Sequence, residues 1–364
     1  MTGRTLKPFA RFAALLLAGA LAAPMAYAQW TATGASGQST APLSDKGKAL
    51  ALASGARVLL VGQEDLRLSV VNPDTGAVLG QVALPHEPKA VAVTADGARA
   101  YVVYGNTTLT AVDVTALAVS AHWTVGGDLR SVVLLPGETE LAVADASPNR
   151  LLAVAATSGS VTRQGALAHE PRDLVAASGG AKLVVGAANG WLTTVDAATF
   201  GVDSQLKVGD EIRTLAWWEA GARTLAVHKR TDAVSLVDIA VPQVSATVAL
   251  DGDPDKGAVA VGGATGYVAT HDDASVNKVD LATPGLLGRY AIATRLNALV
   301  FDPAANVLYG AQRNGKGLVR LDPAAASLIS VLQLQKRLRD VAINQTTHEA
   351  VAVADKTDEM FVIK

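Results

Sequence analysis

The sequence predicts an all-β protein, a β-propeller of eight four-stranded blades. Three observations predict it: a repeat period near 42 residues, strand-length apolar runs within each repeat, and turn residues between the runs. First runs open at Lys48, Lys89, Arg130, Arg172, Arg213, Lys256, Asn297 and Arg339, at spacings of 41, 41, 42, 41, 43, 41 and 42 residues. Compare Lys48-Ala-Leu-Ala-Leu-Ala-Ser-Gly-Ala-Arg57 with Lys89-Ala-Val-Ala-Val-Thr-Ala-Asp-Gly-Ala-Arg99. The runs are too short for helices. They are rich in Val, Leu and Ala and bounded by Gly, Asp, Asn or Pro, as expected of strands covered on both faces by neighbouring blades.

Taken in chain order, residues 1–28 precede the fold and read as a secretory signal peptide. Arg4, Lys7 and Arg11 form a positive stretch, Phe12 to Ala23 an apolar one, and Ala26-Tyr27-Ala28 a small-x-small cleavage site. Cleavage after Ala28 and export to a bacterial periplasm are expected. No apolar run reaches a membrane-spanning length, so the mature chain is expected to have no membrane span. Cleavage would leave 28 Lys+Arg against 33 Asp+Glu, a net charge of about −5.

Residues 29–364 then read as one propeller domain. Each repeat contains four runs, the third ending in Val-Asp or Leu-Asp. The eighth repeat stops after its third run, Glu359 to Ile363. The segment Gln29 to about Ser39 precedes the first blade and is expected to supply the missing outer strand and close the ring. The alternative is seven blades, with Gly47 to Leu84 outside the ring.

Composition excludes several functions. The chain of 364 residues has no Cys, which rules out disulfides, a thiolate nucleophile, iron–sulfur clusters, covalent c-type haem and an amino-terminal lipid. The formal charge of −2 gives no chain-wide basic field. No phosphate loop, dinucleotide fingerprint or Gly-x-Ser-x-Gly stands in a strand-to-helix context.

Second runs such as Ala98-Arg-Ala-Tyr-Val-Val-Tyr-Gly-Asn106 and Ala264-Thr-Gly-Tyr-Val-Ala-Thr-His271, the turn Thr94-Ala-Asp-Gly97 and third runs such as Val234-Ser-Leu-Val-Asp238 resemble the YVTN-type β-propeller repeat family. The resemblance covers essentially the whole mature chain and implies the propeller fold. For function it implies only a range, because members serve as binding platforms, interaction modules and a few enzymes. The sequence lacks a clear Ser-Pro-Asp-Gly turn and varies the Asn that usually ends the second strand.

In a propeller, equivalent positions of successive repeats form rings around the central channel. The position opening the innermost strand is Lys48, Lys89, Arg130, Arg172, Arg213, Lys256, Asn297 and Arg339, cationic in seven of eight blades. Such a ring at the channel mouth attracts carboxylate or phosphate, and Arg can hold either bidentately. Two residues upstream stand Glu87, Asp128, Glu170 and Glu211, so internal salt bridging is the competing explanation for half the ring. On the closing side the upstream residues are Arg295, Arg337 and Lys46, joined by Lys336, Arg313 and Lys316. An anion is therefore expected nearest blades seven, eight and one, on Arg295, Arg337, Arg339 and Lys48.

The position ending the second strand reads Gly62, Tyr104, Asp145, Ala187, His228, His271, Gln312 and Asp355, a polar rim on the same mouth. His228 and His271 fall on adjacent blades. His86 and His169 lie in repeated His-Glu-Pro-Lys/Arg loops at that face. With Asp355 they are candidate ligands for zinc or copper, or groups for proton transfer, although no His-x-His spacing supports this. The third-strand aspartates Asp113, Asp196, Asp238, Asp280 and Asp322 read as turn caps, and Trp217-Trp218 as core.

The function expected is non-enzymatic: a periplasmic propeller, a monomer, binding a small anionic ligand or a partner protein at its basic mouth, with no cofactor. The alternatives are a non-covalent anionic cofactor of haem-d or quinone type clamped by the ring, with His228 or His271 as axial ligand or base, and a metal chaperone. The scarcity of aromatics at the rim argues against nucleic acid.

Overall fold

The computed structural model describes residues 38–42, 47–53, 58–63, 65–72, 77–218, 220, 222–228, 231–250, 252–271, 274–292, 294–315, 317–325, 327–343, 348–354 and 359–363. The described strands form eight four-stranded antiparallel sheets, and seven of these are sequential meanders. Blade 1 runs Gly47–Ala53, Val58–Gln63, Arg67–Val71 and Val78–Ala83; blade 2 begins at Ala90–Val93, and the inner strands of successive blades neighbour one another around the ring.

The eighth sheet differs. Its inner three strands are Leu338–Ile343, Ala350–Ala354 and Glu359–Ile363, and its outer strand is the amino-terminal Gln38–Pro42, with Gln38 opposite Ile363 and Pro42 opposite Glu359. The amino-terminal closure expected from the sequence is therefore made, but by a strand that overlaps the expected Gln29–Ser39 segment only at Gln38 and Ser39. Residues 1–37, including the expected signal peptide, lie outside the described residues.

The core is divided among the blade interfaces rather than gathered at one centre. Val82, Val91, Val102 and Val112 join blades 1 and 2; Leu141, Leu152 and Val154 join blade 3 to blade 2; Val71 meets Val351, Val353 and Val362 where the ring closes. Each wedge buries apolar faces from two sheets, which explains why the middle strands lose polar alternation. Strands such as Leu141 to Ala144 and Leu151 to Val154 are fully buried. Only outer strands alternate: Ala118–Thr124 is exposed at every second residue.

Polar side chains tie neighbouring blades at the opposite end from the mouth. Tyr101 Oη donates to Ala156 O at 3.0 Å, Tyr290 Oη to Pro323 O at 2.9 Å and Lys278 Nζ to the same carbonyl at 2.7 Å. The third-strand aspartates cap the following turns as expected. Asp113 accepts Ala116 N at 2.8 Å, Asp238 accepts Ala240 N at 2.9 Å, Asp280 accepts Ala282 N at 2.8 Å and Asp322 accepts Ala324 N at 2.7 Å. Asp196 accepts Ala198 N and Thr199 N, and also Lys182, whose hydrogen bond holds its carboxyl well below the usual range.

Candidate functional site at the channel mouth

The ring of cations owes its position to a repeated irregularity. Lys48, Arg130, Arg172, Arg213, Asn297 and Arg339 each sit at the register shift of their innermost strand, between the first and third paired residues. Lys256 lies within the longer shift between Pro254 and Val259, and Lys89 immediately precedes Ala90–Val93. A bulge inserts one residue without a partner and re-aims its side chain, so it delivers a polar group at the strand that borders the channel. The side chains of Lys48, Arg213 and Lys256, and all of Lys46, Lys316 and Asp355, lie outside the described residues.

Charge compensation runs around the ring as much as along each strand, contrary to the same-strand pairing read from the sequence. Arg172 Nη1 donates to Glu211 Oε1 of the next blade at 2.7 Å, and Arg130 bonds Asp128 of its own blade while reaching Glu170 of the next at 4.0 Å. Burial, and after it the charge of Arg130, hold the Lys89 ammonium below the ordinary lysine range, against the pull of Asp128 and Glu87. That repulsion places Lys89 and Arg130 in one field. Backbone groups continue the stitching: Asp173 Oδ2 accepts Leu215 N at 2.9 Å, and Asn297 Nδ2 donates to Leu338 O at 2.6 Å, each to the following blade.

Blades 6 to 8 are built differently. Arg295 Nη1 donates to His271 Nε2 at 2.5 Å, Arg313 N to Arg295 O at 2.7 Å, and Arg337 Nε to Arg313 O at 2.7 Å. Three half-buried arginines are thus threaded together through an imidazole and two carbonyls. The Arg313 side chain has no hydrogen-bond or ion-pair partner among the described residues. Arg339 and Lys336 are half-buried beside them, on and before the inner strand of blade 8.

In blades 2, 3, 5 and 7 the second-strand position is not a rim. Asp145 is 0% exposed, His228 1%, Gln312 3% and Tyr104 5%, each seated beneath the mouth loops rather than facing the channel. Asp145 shows what the seat does: its carboxylate accepts Asp128 N at 2.8 Å, Gly127 N at 3.1 Å and Ser147 N at 3.1 Å, and Arg150 Nε at 2.9 Å.

The four histidines do not converge. His86 packs edge-on against Tyr104 at 5.7 Å between ring centroids, and His169 stacks on Trp191 at 4.8 Å while bonding Asn189. His228 Nε2 lies 2.8 Å from Ser235 Oγ, and His271 is engaged by Arg295. No three His, Asp or Glu side chains gather as a metal site among the described residues. His228, buried on Ser235, is closed to an axial ligand or a substrate. Trp218 is core, at 9% exposure, with Trp217 partly buried beside it.

No protein-family model matches the chain, and no curated protein matches it in sequence. Solved structures do match. BamB from Moraxella catarrhalis superimposes with a TM-score of 0.68 at 14% identity, covering 89% of this chain and 92% of that one. Hydrazine synthase from Kuenenia stuttgartiensis matches with a TM-score of 0.64 at 17% identity over 82% of this chain and 99% of that one. The Cps50 (Swd1) β-propeller domain from Myceliophteria thermophila gives 0.62 at 13% identity over 88% and 96%. At these identities the likeness is one of fold: the chain is a β-propeller.

Proposed function

We propose that this propeller is a non-enzymatic binding scaffold that takes a small anion, or the anionic surface of a protein partner, on the mouth of blades 7 and 8. One observation carries the reading. In blades 3 and 4 the ring arginines meet carboxylates, whereas Arg295 donates to an imidazole and the Arg313 side chain to no described group. Guanidinium groups held by neutral acceptors keep their charge uncancelled, and half burial lowers the dielectric around them, so both effects strengthen capture of an anion. The propeller fold supports a scaffold in general, and export to a periplasm through residues 1–28, like membership of the YVTN-type repeat family, is part of the proposal.

A fluorescent hexaglutamate peptide and inorganic phosphate are suitable probes of a protein-borne and a free anion. Arg295→Glu with Arg313→Glu is expected to weaken whichever probe binds by at least about tenfold, with loss of its salt dependence, and to leave the thermal midpoint within a few degrees. Undiminished binding in the double variant, or no binding of either probe to the wild type at low salt, overturns the reading.

A further inference from the structure

Blades 3 and 5 fill the same seat with different chemistry. In blade 3 the last residue but one of the second strand, Asp145, lies beneath Gly126 and Gly127, and a Cβ on Gly126 would stand 2.7 Å from Asp145 Oδ2. In blade 5 the second strand ends in His228 beneath Gly209 and Asp210, and a Cβ on Gly209 would stand 2.2 Å from His228 Nδ1. The glycine is common to both because only a bare backbone clears the seated side chain. The carboxylate, however, has moved from the strand to the loop, and an imidazole has taken its place.

The exchange leaves polar atoms unsatisfied. Asp145 has three amide donors and an arginine. In blade 5, His228 Nδ1 and both carboxylate oxygens of Asp210 are buried without a hydrogen-bond partner among the described residues, and Nδ1 lies 4.0 Å from Asp210 Oδ1. The other imidazole nitrogen explains why. Ser235 Oγ donates to Val208 O at 3.3 Å and also contacts Thr247 Oγ1 at 3.1 Å, so its lone pair is left to accept His228 Nε2–H at 2.8 Å. Nδ1 then carries a bare lone pair facing a carboxylate. Two acceptors cannot bond each other, and buried acceptors without donors are costly.

We propose that this seat is a proton-operated latch: one proton taken up at His228 Nδ1 converts the facing acceptors into an ion pair with Asp210 and draws the Gly209–Glu211 loop onto blade 5. The proton comes from solvent, and no bond other than N–H is made or broken. The groups facing the imidazole are Asp210 and Gly209 from the loop, Ser235 from the third strand, with Thr247 of the outer strand behind it, and Lys207 at the end of blade 4's outer strand, whose charge opposes protonation. Lys229 and Arg230, which follow His228 in sequence, and the side chain of Arg213, next to Ile212 opposite His228, lie outside the described residues. The loop matters to the mouth because Glu211, beside Asp210, holds Arg172. Movement of Asp210 therefore bears on one ion pair of the cationic ring. The latch itself does not depend on the ring's ligand.

The test is an NMR titration of the labelled full chain. His228 Cε1–H, Asp210 Cγ and the Gly209 amide are expected to shift with one common midpoint. Asp210→Asn is expected to lower the His228 midpoint by about one pH unit. His228→Gln, which keeps a donor toward Ser235 but cannot titrate, is expected to abolish the Gly209 response. An unmoved His228 midpoint in Asp210→Asn, or a Gly209 amide that ignores the titration, overturns the latch. So does stoichiometric zinc uptake that His228→Gln removes, since the seat would then hold a metal. Should His228→Gln fail to fold, Asp210→Asn, at a quarter-exposed loop residue, decides alone.

Discussion

Asp145 sits wholly inside the protein with Arg150 beside it, 27% exposed, and three loop amides aimed at its oxygens. Removing one partner of such a group strands the others, so Asp145→Ala is expected to cost about 3 kcal/mol in urea unfolding. The turn-capping Asp238→Ala, whose freed amides can turn to water, is expected to cost about 1 kcal/mol. Near-equal losses would show that the seat is no more than another cap. His228 gives the matching pH dependence. Burial, helped by Lys207 and opposed by Asp210, lowers its pKa. The folded chain therefore binds fewer protons than the unfolded one below the ordinary histidine value of about 6.5, and stability falls as pH drops through that point. The thermal midpoint of the wild type should fall between pH 7 and 5 by more than that of His228→Gln. Parallel curves would remove His228 as the cause.

Bulges set the character of the inner edge in every blade but the second and of the outer edge in every blade but the eighth. On the inner edge they carry the cations. On the outer edge the residue skipped by the ladder is Ser120, Thr162, Asp203 and Ser245 in blades 2 to 5, but Leu287, Ile329 and Leu79 in blades 6, 7 and 1. These three are 54%, 44% and 53% exposed, so Leu287→Ser is expected to change stability by less than about 0.5 kcal/mol in urea unfolding. Gly190 in the mouth loop of blade 4 stands at the other extreme. Its φ is +80°, and a Cβ there would lie 1.6 Å from Asp210 O, so Gly190→Ala is expected to lose more than about 2 kcal/mol. This contrast marks what could be read in advance. The period, the turn aspartates and the cationic column repeat in sequence, so the blades and the ring were legible from spacing alone. Which residue is skipped by a ladder depends on pairing with a partner strand, and which polar group lies under a loop depends on where that loop folds. The sequence therefore offered His228 and Asp145 as a rim although both are seats, and it paired Arg172 along its strand although Glu211 of the next blade takes it.

A ring of eight wedges has no end blades only if the last sheet is completed, and here five residues complete it. Gln38–Pro42 pairs with Glu359–Ile363, whose Met360, Phe361, Val362 and Ile363 are buried and join the wedges on both sides of blade 8. Each of the other seven blades is a meander closed by local turns, whereas this pairing spans almost the whole chain and costs the loop-closure entropy of that span. In return it removes an edge strand that would otherwise present unpaired amides and carbonyls beside an apolar wedge. The cationic mouth depends on the same closure, because Arg337 and Arg339 belong to blade 8 and face the ring only while that blade is held between blades 7 and 1. A chain that begins at residue 43 is therefore expected to fold with a thermal midpoint lower by about 5–10 °C. It is also expected to bind the anionic probe more weakly although every ring cation is still present. A synthetic peptide of residues 29–42 added in trans should restore part of both. If truncation leaves the midpoint and the binding unchanged, blade 8 holds its place through its wedges against blades 7 and 1 alone, and the amino-terminal strand is dispensable to the ring.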